Sequence, residues 1–490
     1  MGDTDGTLHG AALSPLAALL SVLMPGAGHY AIGARFRPAV VVATVANAAA
    51  MVWMAVVLSH VANGSEFATV VADRRSLLLV AVLLVVMAVT RLWAALDSAW
   101  RSRPRGASAI TSAFAGIAVV LVVVVGVAPM ALAADYVRRT DTAVAKVFDS
   151  DQAITANPGT IATTSTTTST TLVSNTTAPL DSTTSSSSTT STTSPPFPGV
   201  DRVNVLLLGG DAGPGRFSLR TDSMIVVSVD PRTGDTAMIS IPRNLMHMPF
   251  PPDTKLAQKF PDGFTDLANA VFTYVDARPE LVGGAPDAGA QAIKLGIAQL
   301  LGIPIQNYVL VDMAGFVDIV DALGGIDIYV PKTVPSPGNP RNAKHQVPSA
   351  ILKGQQHMDG TLALAYARTR SGDSDYNRMG RQRCVLAAIS DAATPLALAT
   401  GIPALLKAFG DGVHTDIPRK ELGDFAKIVH NYADTNGTAA VRTLHLAPPL
   451  VKPSRWDAAE VRSLVSAVLT PQPPPEFTGE LPVLADSCTT

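Results

Sequence analysis

The sequence is poor in cysteine and in charge. It contains only two cysteines, Cys384 and Cys488, among 490 residues, which excludes a disulfide-rich scaffold and a zinc site built from paired cysteines. Charged residues make up 16% and the formal net charge is −2, so the chain as a whole does not attract nucleic acids. Apolar types reach 47%, which excludes a wholly disordered or collagen-like protein. Any basic site must therefore be a local cluster.

Several motifs are also missing. The sequence shows no nucleophile elbow with a Ser-His-Asp arrangement, no zinc-ligand spacing and no Walker loop. These absences disfavour protease, metallohydrolase and nucleotide-driven functions. At 490 residues the chain is too long for one compact domain, so we expect units of different character.

The first 134 residues have membrane patterning. Apolar runs at 39–60, from Ser76 past Arg91, and at 107–134 are each long enough to cross a hydrocarbon core of roughly 30 Å as a helix. We expect Arg91 to extend its side chain towards the nearer interface. A further uncharged run, 11–34, is interrupted by prolines and glycines. It fits a fourth span or a re-entrant or interfacial hairpin, and we favour the hairpin.

Positive residues predict the orientation. Arg35 and Arg37 precede one span, and Arg101, Arg103 and Arg105 precede the last. Such residues favour the cytoplasmic side, which places everything after residue 134 outside the cell. A cleaved signal peptide is the alternative, but three long spans separated by charged loops do not resemble one.

A polar segment separates the membrane region from the rest. Of the 35 residues at 160–194, 26 are Ser or Thr, and Asp181 carries the only charge. Such a run has no apolar face to bury, which predicts a solvated tether; a glycosylated stalk or a wall-threading segment is the alternative. The predicted organisation is a multi-span membrane anchor at 1–134, a juxtamembrane segment and disordered linker at 135–198, a catalytic domain at 199–470 and a Pro-rich tail at 471–490.

The outer domain interleaves strands and helices. Short aliphatic runs predict strands at 203–208, 224–229, 237–241, 308–311, 326–330 and 441–446. Apolar spacing of three and four residues predicts helices at 288–301, 315–323, 378–392, 395–409, 419–432 and 457–469. This alternation predicts an α/β or α+β layered fold.

The segment 366–383, YARTRSGDSDYNRMGRQR, holds five arginines in eighteen residues. A guanidinium binds two oxygens at once and stays charged, so such a cluster suits phosphate or pyrophosphate groups. Arg368 and Arg370 alternate as on a strand, whereas Arg378, Arg381 and Gln382 fall on one side of a following helix. The alternative is a solvated basic helix that pairs with nearby aspartates.

Two further features lie near predicted strand ends. Asp211 follows the first strand and Asp222 precedes the second, where two carboxylates can share a magnesium ion; alternatively they cap local turns. Arg243 follows the third strand in ISIPRNLM, and a lone arginine there is usually a solvated strand end. The three features together favour a phosphate site.

At this point the outer domain resembles the LytR-CpsA-Psr family of cell-wall glycopolymer ligases, in the membrane-anchored form of actinobacteria. The segments that carry the resemblance, all in the family's order, are NVLLLGGD, RTDSMIVVSVD, ISIPRN, VDMAGFVDIVDALGGIDIYV, GQQHMDGTLALAYARTR and DYNRMGRQR.

The resemblance implies both a fold and an activity. The fold is a single domain around a central, mostly antiparallel sheet flanked by helices, with an apolar groove for a polyprenyl chain. The activity is the magnesium-dependent transfer of a glycopolymer from a polyprenyl-pyrophosphate carrier to peptidoglycan, a phosphotransferase reaction in cell wall biogenesis. The implied partners are this carrier, the peptidoglycan acceptor and the membrane, and no nucleic acid. The runs 288–301 and 316–323 are candidate groove walls, although each is equally typical of plain core.

The resemblance also assigns residues. Asp211 and Asp222 would hold magnesium, or one of them would activate the acceptor hydroxyl. Pyrophosphate would be bound by Arg220, Arg243, Arg368, Arg370, Arg378, Arg381 and Gln382. The resemblance implies a role in catalysis for five residues: Asp211, Asp222, Arg243, Arg368 and Arg370. Two positions depart from the family: Asn244 replaces an aspartate, and a lysine is missing ahead of Asn269.

Other interpretations remain open. The outer domain could be a non-catalytic surface protein that binds lipid carriers or wall polymer, or a hydrolase that cleaves the same pyrophosphate with water. Cys384 and Cys488 could pair outside the cytoplasm and fix the Pro-rich tail near the arginine segment, or remain as two free thiols.

Overall fold

The computed structural model describes residues 15–32, 38–61, 73–102, 109–148, 155–157, 197–211, 220–338, 345–370, 374–393, 405, 408, 412–433 and 441–471. The chain divides into two compact units, the first made mainly of residues up to Asp151 and the second mainly of residues from Gln152 onward. The Ser/Thr-rich linker, most of the Pro-rich tail and most of the predicted helix at 395–409 lie outside the described residues.

The first unit is helical. Its three long helices are Pro38–Val61, Arg74–Arg101 and Ala109–Phe148, and all three are long and apolar enough to cross a membrane. The third is 40 residues long and continues past the predicted span, which ended at residue 134. Ion pairs one turn apart, such as Asp135 with Arg139, support this polar continuation.

Arg91 has a polar partner within the helical unit. Its Nε donates to Oδ1 of Asn47 on the helix Pro38–Val61 at 3.1 Å. Asn47 in turn donates to Thr90 at 2.7 Å. A charged side chain among apolar helices commonly pairs with a polar group in this way.

The N-terminal uncharged run forms two helical pieces, at 15–23 and Ala27–Ala31. Gly26 separates them with a φ of 102°, a left-handed conformation that glycine adopts readily. Each piece is much shorter than the roughly 20 residues that a membrane-spanning helix needs.

The second unit is built on a six-stranded sheet. Its strands are β1 Val203–Gly210, β2 Thr221–Val229, β3 Thr236–Ile241, β4 Asn307–Val311, β9 Val413–Thr415 and β10 Arg442–His445, in the order β10-β3-β2-β1-β4-β9. β1 pairs with β4 and β3 with β10 in parallel, and the other three pairs are antiparallel. The predicted layered fold with a mostly antiparallel sheet is confirmed. Two small sheets join β5 Ile326–Val330 to β8 Gly354–Met358 and β6 Val334–Pro335 to β7 Ala350–Ile351.

The helices of this unit are Lys255–Lys259, Val271–Asp276, Ala288–Leu301, Met313–Ala322, Gly360–Arg368, Asp375–Ala392 and Ala458–Leu469, together with the part of Leu422–Ala433 from Lys427 onward. Short 3₁₀ turns lie at Ala268–Ala270 and Pro279–Val282. We call Asp375–Ala392 the arginine helix, because Arg378, Arg381 and Arg383 lie on it.

Helices cover both faces of the sheet. Alternate residues of β2 and β3, such as Val226 and Ile239, pack with Ala288–Leu301 in the main core. The other residues, such as Ile225 and Met238, face Ala387 of the arginine helix. Ala288–Leu301 is buried on nearly every side, so it belongs to the core and is not an open groove wall.

Candidate functional site

Three strand ends meet at one end of the sheet. The register places Met224 of β2 opposite both Leu208 of β1 and Ile241 of β3. Asp222, near the start of β2, and Arg243, two residues past β3, therefore come together. This particular contact was not predicted from the sequence.

Arg243 joins this strand end to the arginine helix. Its Nη1 donates to Oδ1 of Asp222 at 2.9 Å, while Nε and Nη2 both donate to Oδ2 of Asp375 at 3.1 Å. Burial acts to lower the pKa of Arg243, but the hydrogen bond and charge of Asp222 outweigh it and raise the pKa. Arg243 is thus a fixed cation and not a solvated strand end.

Asp222 is the acceptor at the centre of this cluster. Its Oδ1 also accepts from Nδ2 of Asn269 at 3.2 Å. Burial acts to raise the pKa of Asp222, but the hydrogen bond and charge of Arg243 and the charge of Arg378 keep it below its usual value. The carboxylate is therefore ionised at neutral pH and a weak base.

Arg378 lies almost fully buried, with 3% of its surface exposed. Its Nη2 donates to the backbone oxygen of Asp222 at 3.1 Å, while its Nη1 lies 3.7 Å from Oδ2 of the same residue. Burial, and then the charge of Arg243, lower the pKa of Arg378 to about 10, so it remains charged at neutral pH. Its Nε has no hydrogen-bond partner, although it lies 3.9 Å from Oδ1 of Asp375.

The predicted strand around Arg368 and Arg370 is wrong. Arg368 is the last residue of the helix Gly360–Arg368, which starts where Asp359 accepts a hydrogen bond from the backbone of Leu362 at 2.9 Å. Small buried residues then let this helix pack closely, and such tertiary contacts override the local alternation. Arg370 follows the helix, is half exposed, and lies 3.8 Å from Asp375.

The arginine helix is not a solvated basic helix. Arg378, Arg381 and Arg383 are exposed by only 3%, 7% and 8%, respectively. Nη2 of Arg381 donates to the backbone oxygen of Thr369, and Gln382 is half-buried beside it. The helix thus presents arginines to the interior of the domain.

Asp211 and Arg220 are tied together through the backbone. The amide of Asp211 donates to the carbonyl of Arg220 at 3.0 Å, and Oδ1 of Asp211 accepts from the amide of Arg220 at 2.8 Å. This contact closes the β1–β2 connection, as in the turn-capping alternative. The Arg220 residue itself is exposed at the rim of the sheet end.

The donors present fit a magnesium ion only in part. Within the described ranges, no group of three or more His, Cys, Asp or Glu side chains could hold a metal ion. Oδ2 of Asp222 lies 3.7 Å from Nη1 of Arg378, beyond hydrogen-bond distance of that cation. Magnesium is commonly held by one or two carboxylates with waters and substrate phosphates, so Asp222 and Asp211 fit an ion that arrives with phosphate.

Sequence reasoning missed the roles of Asp375 and Asn269. Asp375 is the first residue of the arginine helix and holds Arg243 in place, while Asn269 supports Asp222. Asp375 could have been found from its position, because an acidic residue in the first helical turn, followed by arginine three residues on, is typical of an ordered helix start. Asn269 lies in a 3₁₀ turn that no periodicity indicates.

A separate concavity lies beyond the loop that follows Arg243. Its volume is about 470 Å³, and its lining includes His247, Phe260, Asp262 and Trp456. Nε1 of Trp456 donates to the carbonyl of Met246 at 2.8 Å and holds the loop. None of the lining residues belongs to the arginine cluster.

Cys384 lies on the arginine helix, is fully buried, and is disulfide-bonded. Its predicted partner, Cys488, lies outside the described residues.

The fold and the site together define an α/β domain that holds ionised arginines and carboxylates around a place for an anionic ligand. Residues 163–448, more than half of the chain, match the LytR_cpsA_psr family. The chain therefore belongs to the LytR-CpsA-Psr family, as its sequence segments predicted.

Two named relatives illustrate the match. The chain is 29% identical over 234 residues to the polyisoprenyl-teichoic acid–peptidoglycan teichoic acid transferase TagU of Bacillus anthracis, covering 47% of this chain and 65% of the relative. It is 29% identical over 236 residues to the TagU of Oceanobacillus iheyensis, covering 48% and 63%. The chain thus spans a little under two thirds of the length of these relatives.

Solved structures give weaker likenesses. The crystal structure of TagV from B. subtilis is 26% identical with a TM-score of 0.40, over 55% of this chain and 96% of that one. The crystal structure of TagU from B. subtilis is 22% identical with a TM-score of 0.37, over 58% and 100%.

Proposed function

We propose that this protein transfers a glycopolymer from a polyprenyl-pyrophosphate carrier to peptidoglycan. The observation that carries the proposal is the convergence of Arg243, Arg370 and Arg378 on Asp222 and Asp375 at one end of the sheet. Family membership and the names of the TagU relatives support the same chemistry.

The reaction would join two large substrates through one phosphate. An acceptor hydroxyl of peptidoglycan attacks the phosphorus that carries the glycopolymer, and a new P–O bond forms. The bond from that phosphorus to the bridging oxygen breaks, and polyprenyl phosphate leaves with this oxygen. The hydroxyl proton passes to a carboxylate or to water. Such a transfer requires positioning and charge neutralisation more than covalent catalysis.

The arginines would supply this neutralisation. Arg243 is held rigidly by two carboxylates, so it does not reorganise when charge develops on the phosphate oxygens. Arg378, whose Nε has no hydrogen-bond partner, adds a second buried cation. Arg220 and Arg370 are exposed and Arg368 is partly buried, and these three would contact the outer part of the pyrophosphate.

We include magnesium in the proposal. Asp222 would hold the ion together with Asp211 and the substrate phosphates. When bound, magnesium would neutralise part of the phosphate charge. Because the pKa of Asp222 lies below its usual value, this residue would serve as an ion and not as the base.

The membrane region fits a substrate that is itself a membrane lipid. Three helices are long and apolar enough to span the bilayer, and the arginines that flank them support an outer domain on the far side from the cytoplasm. The protein would therefore be a multi-pass membrane protein whose catalytic domain meets the carrier at the outer surface.

The test uses the full chain in lipid nanodiscs with a short polyprenyl-pyrophosphoryl saccharide, magnesium and peptidoglycan fragments. Mass spectrometry should find the saccharide joined to the fragment by a phosphodiester, and omission of magnesium should reduce this product. An Arg368→Ala, Arg370→Ala double variant should form no product, whereas Arg232→Ala should resemble the wild type, because Arg232 is 60% exposed at the opposite end of the sheet.

Two results would overturn the proposal. Released phosphate without ligated product would identify a hydrolase, and neither product would favour a binding protein.

A further inference from the structure

The concavity beyond the loop that follows Arg243 lies at the same end of the sheet as the arginine cluster. β10 is parallel to β3, and β3 is antiparallel to β2. The carboxyl ends of β3 and β10 therefore lie beside the start of β2, where Asp222 is found. One wall of the concavity comes from the segment after β3 and the other from the segment after β10.

The concavity is also close to the phosphate site along the chain. His247, which lines it, follows Arg243 by four residues. At about 3.6 Å per residue, the Cα atoms of these two residues are at most about 14 Å apart. One chain-like substrate can therefore occupy the concavity and reach the arginine cluster.

Two aromatic side chains form walls that their neighbours hold in place. The ring of Phe260 meets the rings of Phe264 and Tyr274 edge-on, with centroids 5.0 and 5.5 Å apart. Nε1 of Trp456 donates to the carbonyl of Met246 at 2.8 Å. Because both rings are already ordered, a ligand that packs against them pays a smaller entropic cost on binding.

The backbone between these walls has an unusual conformation. His247 has a φ of 54°, in the left-handed region that few residues other than glycine adopt. Gly263 has a φ of 82°, and a Cβ there would lie 2.5 Å from the carbonyl oxygen of His247. Beside this close approach, the amide of Phe264 donates to the carbonyl of Met248 at 2.9 Å. Backbone strain that the surroundings maintain in this way is most common at binding and catalytic sites.

The polar groups of the concavity include both donors and acceptors. Asp262 supplies a carboxylate, Arg455 a guanidinium and Ser454 a hydroxyl, and all three residues are exposed. Among the Asp, Glu, Lys and Arg side chains of the lining there is thus one of each sign, with no excess of positive charge. This balance disfavours a phosphate-rich polymer and favours a neutral ligand with hydroxyl and amide groups.

An N-acetylated sugar ring matches both the walls and the polar groups. Its C–H groups form an apolar face that packs against an aromatic ring, while its hydroxyl and acetamido groups project from the edge. The volume of about 470 Å³ falls within the roughly 300 to 1,000 Å³ of ligand pockets and has room for a sugar ring with its substituents. The glycan strand of peptidoglycan consists of such rings.

We propose that the concavity binds a sugar ring of the peptidoglycan acceptor, which Phe260, Trp456, Asp262 and Arg455 recognise. This inference rests on the proposed function and adds the acceptor site to it. A ring held in the concavity places another ring of the same strand near the phosphate, so that its hydroxyl faces the phosphorus that carries the polymer. The arginine cluster would bind the donor, and the concavity would bind the acceptor.

The first experiment measures binding without any chemistry. The chain has four tryptophans, and three of them, Trp53, Trp93 and Trp100, lie in the helical unit. Replacing these three by phenylalanine leaves Trp456 as the one fluorescent tryptophan of the full chain in nanodiscs. Titration with chitotetraose, a neutral oligomer of N-acetylglucosamine, should change the fluorescence of Trp456 and saturate.

Two surface variants in that background test the contacts. Asp262→Asn and Arg455→Ala should each weaken chitotetraose binding about three- to tenfold, the effect of a lost hydrogen bond. Lys452→Ala should bind like the parent, because Lys452 is exposed near Arg455 and does not line the concavity. All three variants should keep the thermal midpoint of the parent, since exposed substitutions rarely change stability. Weakened binding would then not reflect unfolding.

Steady-state kinetics of the wild type and the same variants identify the occupant. With saturating carrier saccharide, Asp262→Asn and Arg455→Ala should raise KM for peptidoglycan fragments by a similar factor and leave kcat nearly unchanged. This pattern indicates lost binding away from the reacting centre. KM for the carrier should not change.

Two kinds of result would overturn the inference. The first is the absence of a saturable change at Trp456, or parental affinity of both Asp262→Asn and Arg455→Ala for chitotetraose. The second is a raised KM for the carrier instead of the fragments, which would place the donor saccharide in the concavity. In either case a ligated product from the wild type leaves the proposed function standing. Chitotetraose binding without any ligated product has the opposite meaning, because the glycan site stands and the transfer function fails.

Discussion

The two ends of the six-stranded sheet both carry arginines that share carboxylates. At the end away from the site, Arg202 and Arg442 bind Asp235, with Nη1 of Arg202 and Nη2 of Arg442 at 2.7 and 2.8 Å from its Oδ2. The remaining donors of Arg202 reach Ser228, the carbonyl of Asp235 and the carbonyl of Leu469. Nε of Arg442 reaches the carbonyl of Val468 at 2.8 Å.

The site end also pairs arginines with carboxylates, but some of its arginine donors make no hydrogen bond. Arg243 is held by Asp222 and Asp375, yet Nε of Arg378 makes no hydrogen bond and Arg370 remains half exposed. We call Arg202, Arg442 and Asp235 the closed cluster, because its groups bind one another and leave no donor for a ligand. This cluster stabilises the fold. We call the second group the open cluster; its members are Arg243, Arg370, Arg378, Asp222 and Asp375. It has more donors than acceptors, and that excess distinguishes a binding site from a structural ion pair.

Removing the central arginine of the open cluster should have the largest effect. Arg243→Ala leaves Asp222 and Asp375 without their shared cation and should lower the transfer rate about 100- to 1000-fold, as for loss of one preorganised donor. Product formation measured by mass spectrometry over time would show this. Transfer at the wild-type rate would mean that the open cluster is structural, like the closed one.

Breaking the closed cluster should lower stability and leave the transfer rate unchanged. Asp235→Ala leaves two largely buried arginines without their carboxylate, which should cost about 2 to 4 kcal/mol of stability, or a loss of roughly 5 to 10 °C in thermal midpoint. The transfer rate per folded molecule should not change. A variant that loses transfer while keeping its midpoint would contradict the assignment of this cluster to the fold.

Lowering the pH should produce the smallest change in thermal midpoint, and the direction of that change follows from the pKa of Asp235. The hydrogen bond from Arg442 comes first in lowering the pKa of Asp235, and the bond from Arg202 adds to it against the opposing effect of burial. A carboxylate with a lowered folded pKa stabilises the fold above its unfolded pKa of about 3.9 and loses this contribution as pH falls towards the folded value. The midpoint difference between the wild type and Asp235→Asn should therefore be constant from pH 7 to 5 and shrink below about pH 4. A difference that stays constant to pH 3 would exclude this linkage.

Much of the fold was predictable because its elements have clear periodicity. The helix Ala288–Leu301 and the strand Ile326–Val330 have the predicted bounds, since each is a continuous pattern with glycine or proline near its ends. The strand predicted at Arg368 and Arg370 failed because a capping aspartate and close packing, both tertiary features, decide that segment.

The site was predictable in its residue types more than in its geometry. The density of arginines identified the segment, and Arg378 and Arg243 do meet at Asp222. Spacing alone did not indicate Asn269, because its contact with Asp222 joins residues far apart in the chain and its 3₁₀ turn has no periodic pattern.

The helix Ala109–Phe148 is longer than one membrane crossing requires. At 1.5 Å per residue its 40 residues extend about 60 Å, twice the roughly 30 Å of a hydrocarbon core. In the proposed multi-pass arrangement, about 30 Å of this helix would extend beyond the lipid. Shortening the Ser/Thr-rich segment and shortening this helix would then be separate ways to change how far from the membrane the outer domain acts.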